Sequence, residues 1–386
     1  MTRIAIFTDT DLDRRTDLAT ALKAVLRHTN SDLRARIFTT SDFGTATDEY
    51  FAAASFGCRL PWDRGQRVFW PRLRPFAREL KAAGTQVVHI ATPGPVGLVG
   101  RLLANRYRLP IVGSRHAPLA VSAGANATPS RSERIAERCA RWAYGGAPLL
   151  VPSQASRDHL ALRGFERLQV WTAGIDATRF APVKASSALR ESWHVNHQRP
   201  AILVPLRLLA EGEVRMVEPI RRGLFRHATA HQFVFVGRAL AAVDLREICP
   251  DGVFIEDAFD ERLAVAMASC DVCLSLSAMD AVGAAALKAQ ACGLPVIAMA
   301  GGGASEQFVP GVTGEVVRAG DVEDIVSSLT ALLRNAQRRA AMGRDARTHA
   351  LRRDWPTMLG PLHTAWRTAA VTPSRAALPF FTRSSP

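Results

Sequence analysis

Residues 277–296, SAMDAVGAAALKAQACGLPV, set one acid, Asp280, and one cation, Lys288, at the head and in the middle of an alanine-rich run. Eight residues of α-helix climb about 12 Å and end about 80° round from the start, so both side chains can face one cleft. The unpaired N–H groups near residues 281–283, with the helix dipole, make a seat for an anion. Each residue also has a plainer reading. Asp280 suits an N-cap carboxylate, and Lys288 suits a stem that carries its ammonium to solvent from a half-buried helix. A second constellation follows at residues 299–308, MAGGGASEQF, where three glycines end an apolar run with Glu306 close behind. Backbone N–H groups without Cβ cover can approach an anion or a sugar, although a tight strand-to-helix turn uses the same glycines. The spacing is not G-x-G-x-x-G, which sets aside a nicotinamide enzyme.

Such residues need elements to hold them. The short apolar runs RIAIFTD, ARIFTT, VVHIAT, PIVGSRH, PLLVPS and LQVWTAG alternate with helical patterns, among them residues 13–28 and 153–163. That alternation predicts a parallel sheet covered by helices on both faces. Residues 181–200 lose the pattern. It then restarts in AILVPL, QFVFVG, GVFIED, VCLSLS, PVIAMA and GEVV, with helices expected near 213–226, 260–269, 281–292 and 321–336. The expected organisation is therefore α/β: a first domain at residues 1–180, a linker at 181–200, a second domain at 201–370 and a loose tail at 371–386. Ligands of open α/β sheets bind beyond the carboxyl ends of the strands, so function is expected in a cleft there.

The 386-residue chain is 48% hydrophobic and 22% charged, within the ordinary globular range. No run approaches the roughly 18–20 apolar residues of a bilayer span. The start, MTRIAIFTDTDLDRR, reads as a first strand and not as a secretory signal, so a cytoplasmic placement is expected. Lys and Arg number 49 against 35 Asp and Glu, for a net charge of +14, which favours a phosphate-bearing ligand, nucleic acid or an anionic membrane surface. The basic residues are spread over helices that also carry acids, with neither an RRM-like aromatic signature nor a zinc-finger spacing, so no nucleic acid is expected. Residues 70–81, WPRLRPFARELK, fit either peripheral contact with the inner face of a membrane or a solvated amphipathic helix. Of six cysteines only Cys270 and Cys273 are close. Without a second pair, and entering a strand, they read as buried free thiols, and no metal is assigned.

The order of motifs resembles glycosyltransferase family 4, especially its bacterial GDP-mannose-dependent alpha-mannosyltransferases. FTDT, VVHIATPGPVGLVGR, VPSQASRDHLALRGF, VWTAGID followed by Phe180, ASCDVCLSLS and CGLPVIAMAGGGASEQFVPGVTGEVVRAGD carry the resemblance over nearly all of residues 1–370. It implies the GT-B fold, two Rossmann-like doubly wound domains facing a cleft. It also implies retaining transfer of a mannose-like hexose from a nucleotide diphosphate sugar, such as GDP-mannose, to a lipid-linked or glycan hydroxyl. Neither cofactor nor metal is implied, since protein cations and helix N-termini stabilise the departing diphosphate.

The resemblance carries over unevenly. Arg207 keeps the first cation of a diphosphate-holding Arg–Lys pair, while Gly212 stands in place of the lysine. Asp280 and Lys288 occupy the places of two glutamates, the first near the transferred sugar and the second on the ribose. His116 matches the histidine beside the reacting sugar, Asp17 stands where the first loop has glycine, and Arg238 replaces an acid. His116 and Asp280 are thus implied as catalytic, and Arg207, Gly283, Lys288, Gly302, Gly303 and Glu306 as donor-binding. A cation lost at 212 and one gained at 288 suggest that Lys288 contacts the diphosphate or a ribose oxygen. The same departures fit a noncatalytic GT-B-fold protein that partners or stabilises another glycosyltransferase.

Overall fold

The computed structural model describes the chain except for residues 13–15, 42–43, 61–62, 117–130, 208, 240–243, 257–258, 278–281 and 373–386. Two compact units result: Met1–Pro152 with Ser156–Thr172 and Met358–Pro386, and Ser153–Ala155 with Ala173–Thr357.

In the first unit, short runs such as TRIAIF and VVHI are apolar on successive residues, as strands buried on both faces must be. The sheet runs Leu168–Val170, Leu149–Val151, Ile111–Ser114, Val87–Ile90, Thr2–Phe7, Leu33–Ser41, Tyr50–Ala54 and Thr45–Ala46. All neighbours pair in parallel except the last two. One face is built on Phe7, stacked on Phe38 at 5.0 Å, and on Phe76, which meets Phe51 edge-on at 5.6 Å. Thr16 caps the helix Asp17–His28 through Ala19 N, so this helix starts four residues later than the pattern suggests. Asp17 lies in its first turn, where the dipole favours an acid.

Several expectations for this unit need correction. An antiparallel pair, Phe56–Leu60 with Asp63–Trp70, interrupts the α/β alternation. Trp70 therefore ends a strand, and residues 70–81 are not one surface helix. The helix is Leu73–Ala82, with Phe76 and Leu80 buried and Arg74, Arg78 and Lys81 exposed. The helix Gly360–Val371 belongs to this unit and not to the second, because Leu362, Trp366 and Ala369 bury one helical face against the first sheet.

The second unit has a fully parallel sheet in the order Val253–Ile255, Gln232–Val236, Ala201–Pro205, Val272–Ser275, Val296–Met299 and Gly314–Val317. Ala201 and Leu203 enter one hydrophobic core and Ile202 and Val204 the other, so helices cover both faces. Residues 181–200 are part of this unit rather than a separate linker. Arg190 donates to Ser269 O at 2.9 Å and to Asp271 Oδ2 at 3.1 Å, which ties that segment to the sheet. The helix expected at 213–226 divides at Met216 into Glu211–Arg215 and Val217–Arg226. The one expected at 281–292 is Ala284–Ala291, because Gly283 before it takes φ 63°.

Candidate functional site

In each sheet the strand order reverses at one point, and chains leaving the two adjacent strand ends diverge there to open a crevice. In the second unit the point lies between Ala201–Pro205 and Val272–Ser275. Arg207 leaves the first of these strands and Gly283 follows the second. Arg207 is exposed, and its Cγ lies 3.2 Å from where a Cβ at Gly237 would stand, so glycine there lets the arginine stem cross the neighbouring strand end.

Gly283 is brought onto the glycine-rich turn. Its absent Cβ would lie 2.7 Å from Gly303 O and 3.0 Å from Ala304 Cα. Gly302 and Gly303 are buried at the start of a short 3₁₀ turn, Gly303–Glu306. Two residues that the sequence did not single out brace this turn. Buried Gln290 donates to Gln307 O at 2.8 Å, and Gln307 donates to Gly303 O at 3.4 Å. The available signal was an amide in the otherwise apolar interior of the alanine-rich helix.

Lys288 is half-buried on that helix, with Nζ 5.6 Å from the centre of the Phe180 ring, a cation–π contact. Asp280 lies outside the described residues. The helix begins at Ala284 after a left-handed residue, so helical spacing does not extend back to position 280. Glu306 accepts from Gln154 N at 2.6 Å and from Ala155 N at 2.7 Å, one oxygen to each, satisfying N–H groups that a helix start leaves free. A side chain at Gly212 would meet nothing within 4 Å, and Arg238 pairs with Glu256 at 3.1 Å.

In the first unit the reversal lies between Thr2–Phe7 and Val87–Ile90. Here the sequence reading missed Asp9. Its Oδ2 accepts from Thr92 Oγ1 at 2.6 Å and its Oδ1 from Val96 N at 2.8 Å, so the chain's own carboxylate fills the N-terminus of the helix Pro95–Tyr107. Burial pushes the carboxyl above its usual range, against the pull of those hydrogen bonds. Asp9→Asn should lower stability by about 1 kcal/mol, because the amide offers one acceptor oxygen where two accept and turns an NH2 group toward the other donor. Urea unfolding at neutral pH checks this.

His116 emerges from the strand Ile111–Ser114. Its ring packs edge-to-face on Trp171, with centroids 4.8 Å apart, and the Trp171 indole N–H donates to Met358 O at 2.7 Å. Burial lowers the His116 pKa to about 4, so at neutral pH the ring is uncharged, with one N–H to donate and one lone pair to accept. Beneath it lies buried His89. Its Nδ1 faces the Trp366 indole Nε1 at 3.0 Å and its Nε2 the Ser114 Oγ at 2.8 Å. An indole only donates, so Nδ1 accepts and Nε2 carries the proton.

Cys270 and Cys273 are buried thiols, and burial raises the Cys270 thiol well above its ordinary range. Among the described residues no group of three or more His, Cys, Asp or Glu is placed to hold a metal ion, and no helix is long and apolar enough to cross a membrane.

Comparison with known proteins agrees with this geometry. Residues 19–179 match the model described as Glycosyltransferase Family 4, and residues 251–349 that described as Glycosyl transferases group 1. A GDP-mannose-dependent alpha-mannosyltransferase of Mycobacterium tuberculosis is 28% identical over 74% of this chain and 73% of its own. Among solved structures, the sucrose-phosphate synthase of Thermosynechococcus elongatus aligns with a TM-score of 0.73 at 18% identity, over 95% of this chain and 99% of its own. Anabaena HepE, solved in complex with UDP-glucose, aligns with a TM-score of 0.71 at 17% identity, over 95% of this chain and all (100%) of its own.

Proposed function

The chain is a glycosyltransferase of the GT-B type, a family 4 domain followed by a group 1 domain, and we propose that it moves mannose from GDP-mannose, with retention, to a lipid-linked or glycan hydroxyl. The observation that carries the reading is the convergence of Arg207, Gly283, Gly302 and Gly303 on the strand ends of the second unit, beside a helix N-terminus. Arg207 neutralises the diphosphate, with Lys288 as its partner cation, and the amides at Gly302 and Gly303 hold the sugar. For the transferred sugar, the family resemblance assigns Asp280 as a neighbour and neutral His116 as a hydrogen-bond donor. Glu306, seated on the amides of Gln154 and Ala155 at the end of the glycine-rich turn, contacts the sugar or the nucleotide. The exposed Leu73, Arg74, Arg78 and Lys81 rest peripherally on the inner face of an anionic membrane that carries the acceptor. No metal or cofactor enters the reaction.

Calorimetric titration with GDP, UDP, ADP and their hexose conjugates tests this. GDP-mannose should bind saturably, and Arg207→Ala should weaken it on the order of tenfold, as expected for one charge-assisted contact at an exposed site. The cation–π contact of Lys288 and the open space at Gly212, where no cation stands, favour the noncatalytic partner as the second reading. Absence of binding by every nucleotide, from folded protein, would select it.

A further inference from the structure

The residues that surround His116 in the first unit are held from the far end of the chain. Trp366, on the helix Gly360–Val371, donates its indole N–H to His89 Nδ1 at 3.0 Å across a sequence separation of 277 residues. That bond selects the tautomer in which His89 Nε2–H points at the Ser114 Oγ, 2.8 Å away. Ser114 ends its strand two residues before His116, and its carbonyl oxygen also accepts from the buried Tyr144 hydroxyl at 3.0 Å. On the other side, the wall on which the His116 ring rests is Trp171, whose indole is fixed by Met358 O at 2.7 Å. Two indole N–H bonds thus tie the surroundings of His116 to the segment from Met358 onward, one accepted by Met358 O and the other donated by Trp366 to His89. A helix needed only to cover the sheet would serve with apolar side chains alone. A buried imidazole with both ring nitrogens hydrogen-bonded is instead a directional link, costly to leave half-satisfied.

We propose that Trp366 and His89 are positioning residues: the C-terminal helix sets the place and orientation of His116 through the chain Trp366–His89–Ser114. This rests on the proposed function for the role of His116, but not for the link itself.

The test combines two readouts on the full chain: GDP release from GDP-mannose, and the ring-nitrogen NMR signals of His116 in protein labelled at histidine. Trp366→Phe keeps an aromatic ring and removes only the indole donor. Ser114→Ala breaks the link at its other end with little change in volume, and serves if the buried tryptophan proves necessary for folding. Each should lower kcat roughly tenfold with the KM for GDP-mannose unchanged, because a displaced group beside the reacting centre costs rate rather than donor affinity. Each should also move the His116 ring signals. The double variant should be no worse than Ser114→Ala alone, since both changes break one chain. Arg367→Ala removes only the exposed pair with Asp32 on the same helix and should leave kcat and the His116 signals unchanged. Equal losses in all three single variants, additive losses in the double variant, or unmoved His116 signals would overturn the proposal. If the parent chain turns over no donor, the functional reading fails on its own, and the NMR response to Trp366→Phe still decides whether the helix positions His116.

Discussion

Gly283→Ala is expected to lower the unfolding free energy by about 2–4 kcal/mol and to abolish saturable nucleotide binding, which makes it the most damaging small substitution in the second unit. Two costs combine. The residue sits at φ 63°, where a Cβ alone costs about 1 kcal/mol. The new methyl would also stand 2.7 Å from Gly303 O and 3.0 Å from Ala304 Cα, and backbone cannot swing aside as a side-chain end can. Relief requires the helix start and the glycine-rich turn to part, and these are the two pieces that together form the proposed donor seat. Gly301→Ala is the matched control. That glycine has φ 88°, but a Cβ there meets nothing within 4 Å, so conformational strain of about 1 kcal/mol should be the whole effect, with nucleotide binding retained. Denaturant unfolding and calorimetric titration of both variants check the pair. Equal losses would mean that contact with Gly303 contributes nothing.

The second large effect is loss of stability in mild acid. Burial, aided by the nearby His116, lowers the His89 pKa from the ordinary 6.5 to about 3. Between these values the unfolded chain takes up a proton at position 89 that the folded chain refuses. The contribution is therefore complete above about pH 6.5 and shrinks as pH falls, by about 1.4 kcal/mol per unit. It should amount to about 2 kcal/mol lost at pH 5 and about 3 at pH 4. Other groups titrate in the same range, so the quantity to measure is the difference between the parent and His89→Gln in urea unfolding from pH 7.5 to 4. The glutamine can accept from Trp366 and donate to Ser114, yet has no proton to gain. Parallel stability curves for the two proteins would contradict the assignment.

The parallel sheets were legible because their strands are short, apolar on both faces and separated by helical patterns, as in VVHIAT and PVIAMA. The antiparallel pair at Phe56–Leu60 and Asp63–Trp70 was not, since FGCRL and DRGQRVFW mix charge and glycine without a clean period. The glycine-rich turn could be recognised from composition alone. The true start of the helix at Ala284 could not, because the close approach of Gly303 and Gln307 that leaves no room for a Cβ at Gly283 is a tertiary feature. His89 illustrates the same limit. Within VVHI it reads only as a strand residue, and its partner lies on a helix whose apolar spacing shows that it packs somewhere but not on which sheet. Asp9 in FTDT was likewise visible as a residue but not as a cap, since the helix it caps starts at Pro95.

The return of the last helix to the first unit has a consequence for how the protein is made. Residues 1–152 leave the ribosome with the sheet surface around His89 still lacking its indole partner. All of Ala173–Thr357 must follow before Trp366 exists, a delay on the order of ten to forty seconds at typical elongation rates. The second unit is complete once Thr357 is made, whereas throughout that interval the first carries an open apolar face and an unsatisfied imidazole. The half of the protein synthesised first is therefore the half completed last, and a nascent chain stalled before residue 366 is the form most exposed to chaperones and aggregation.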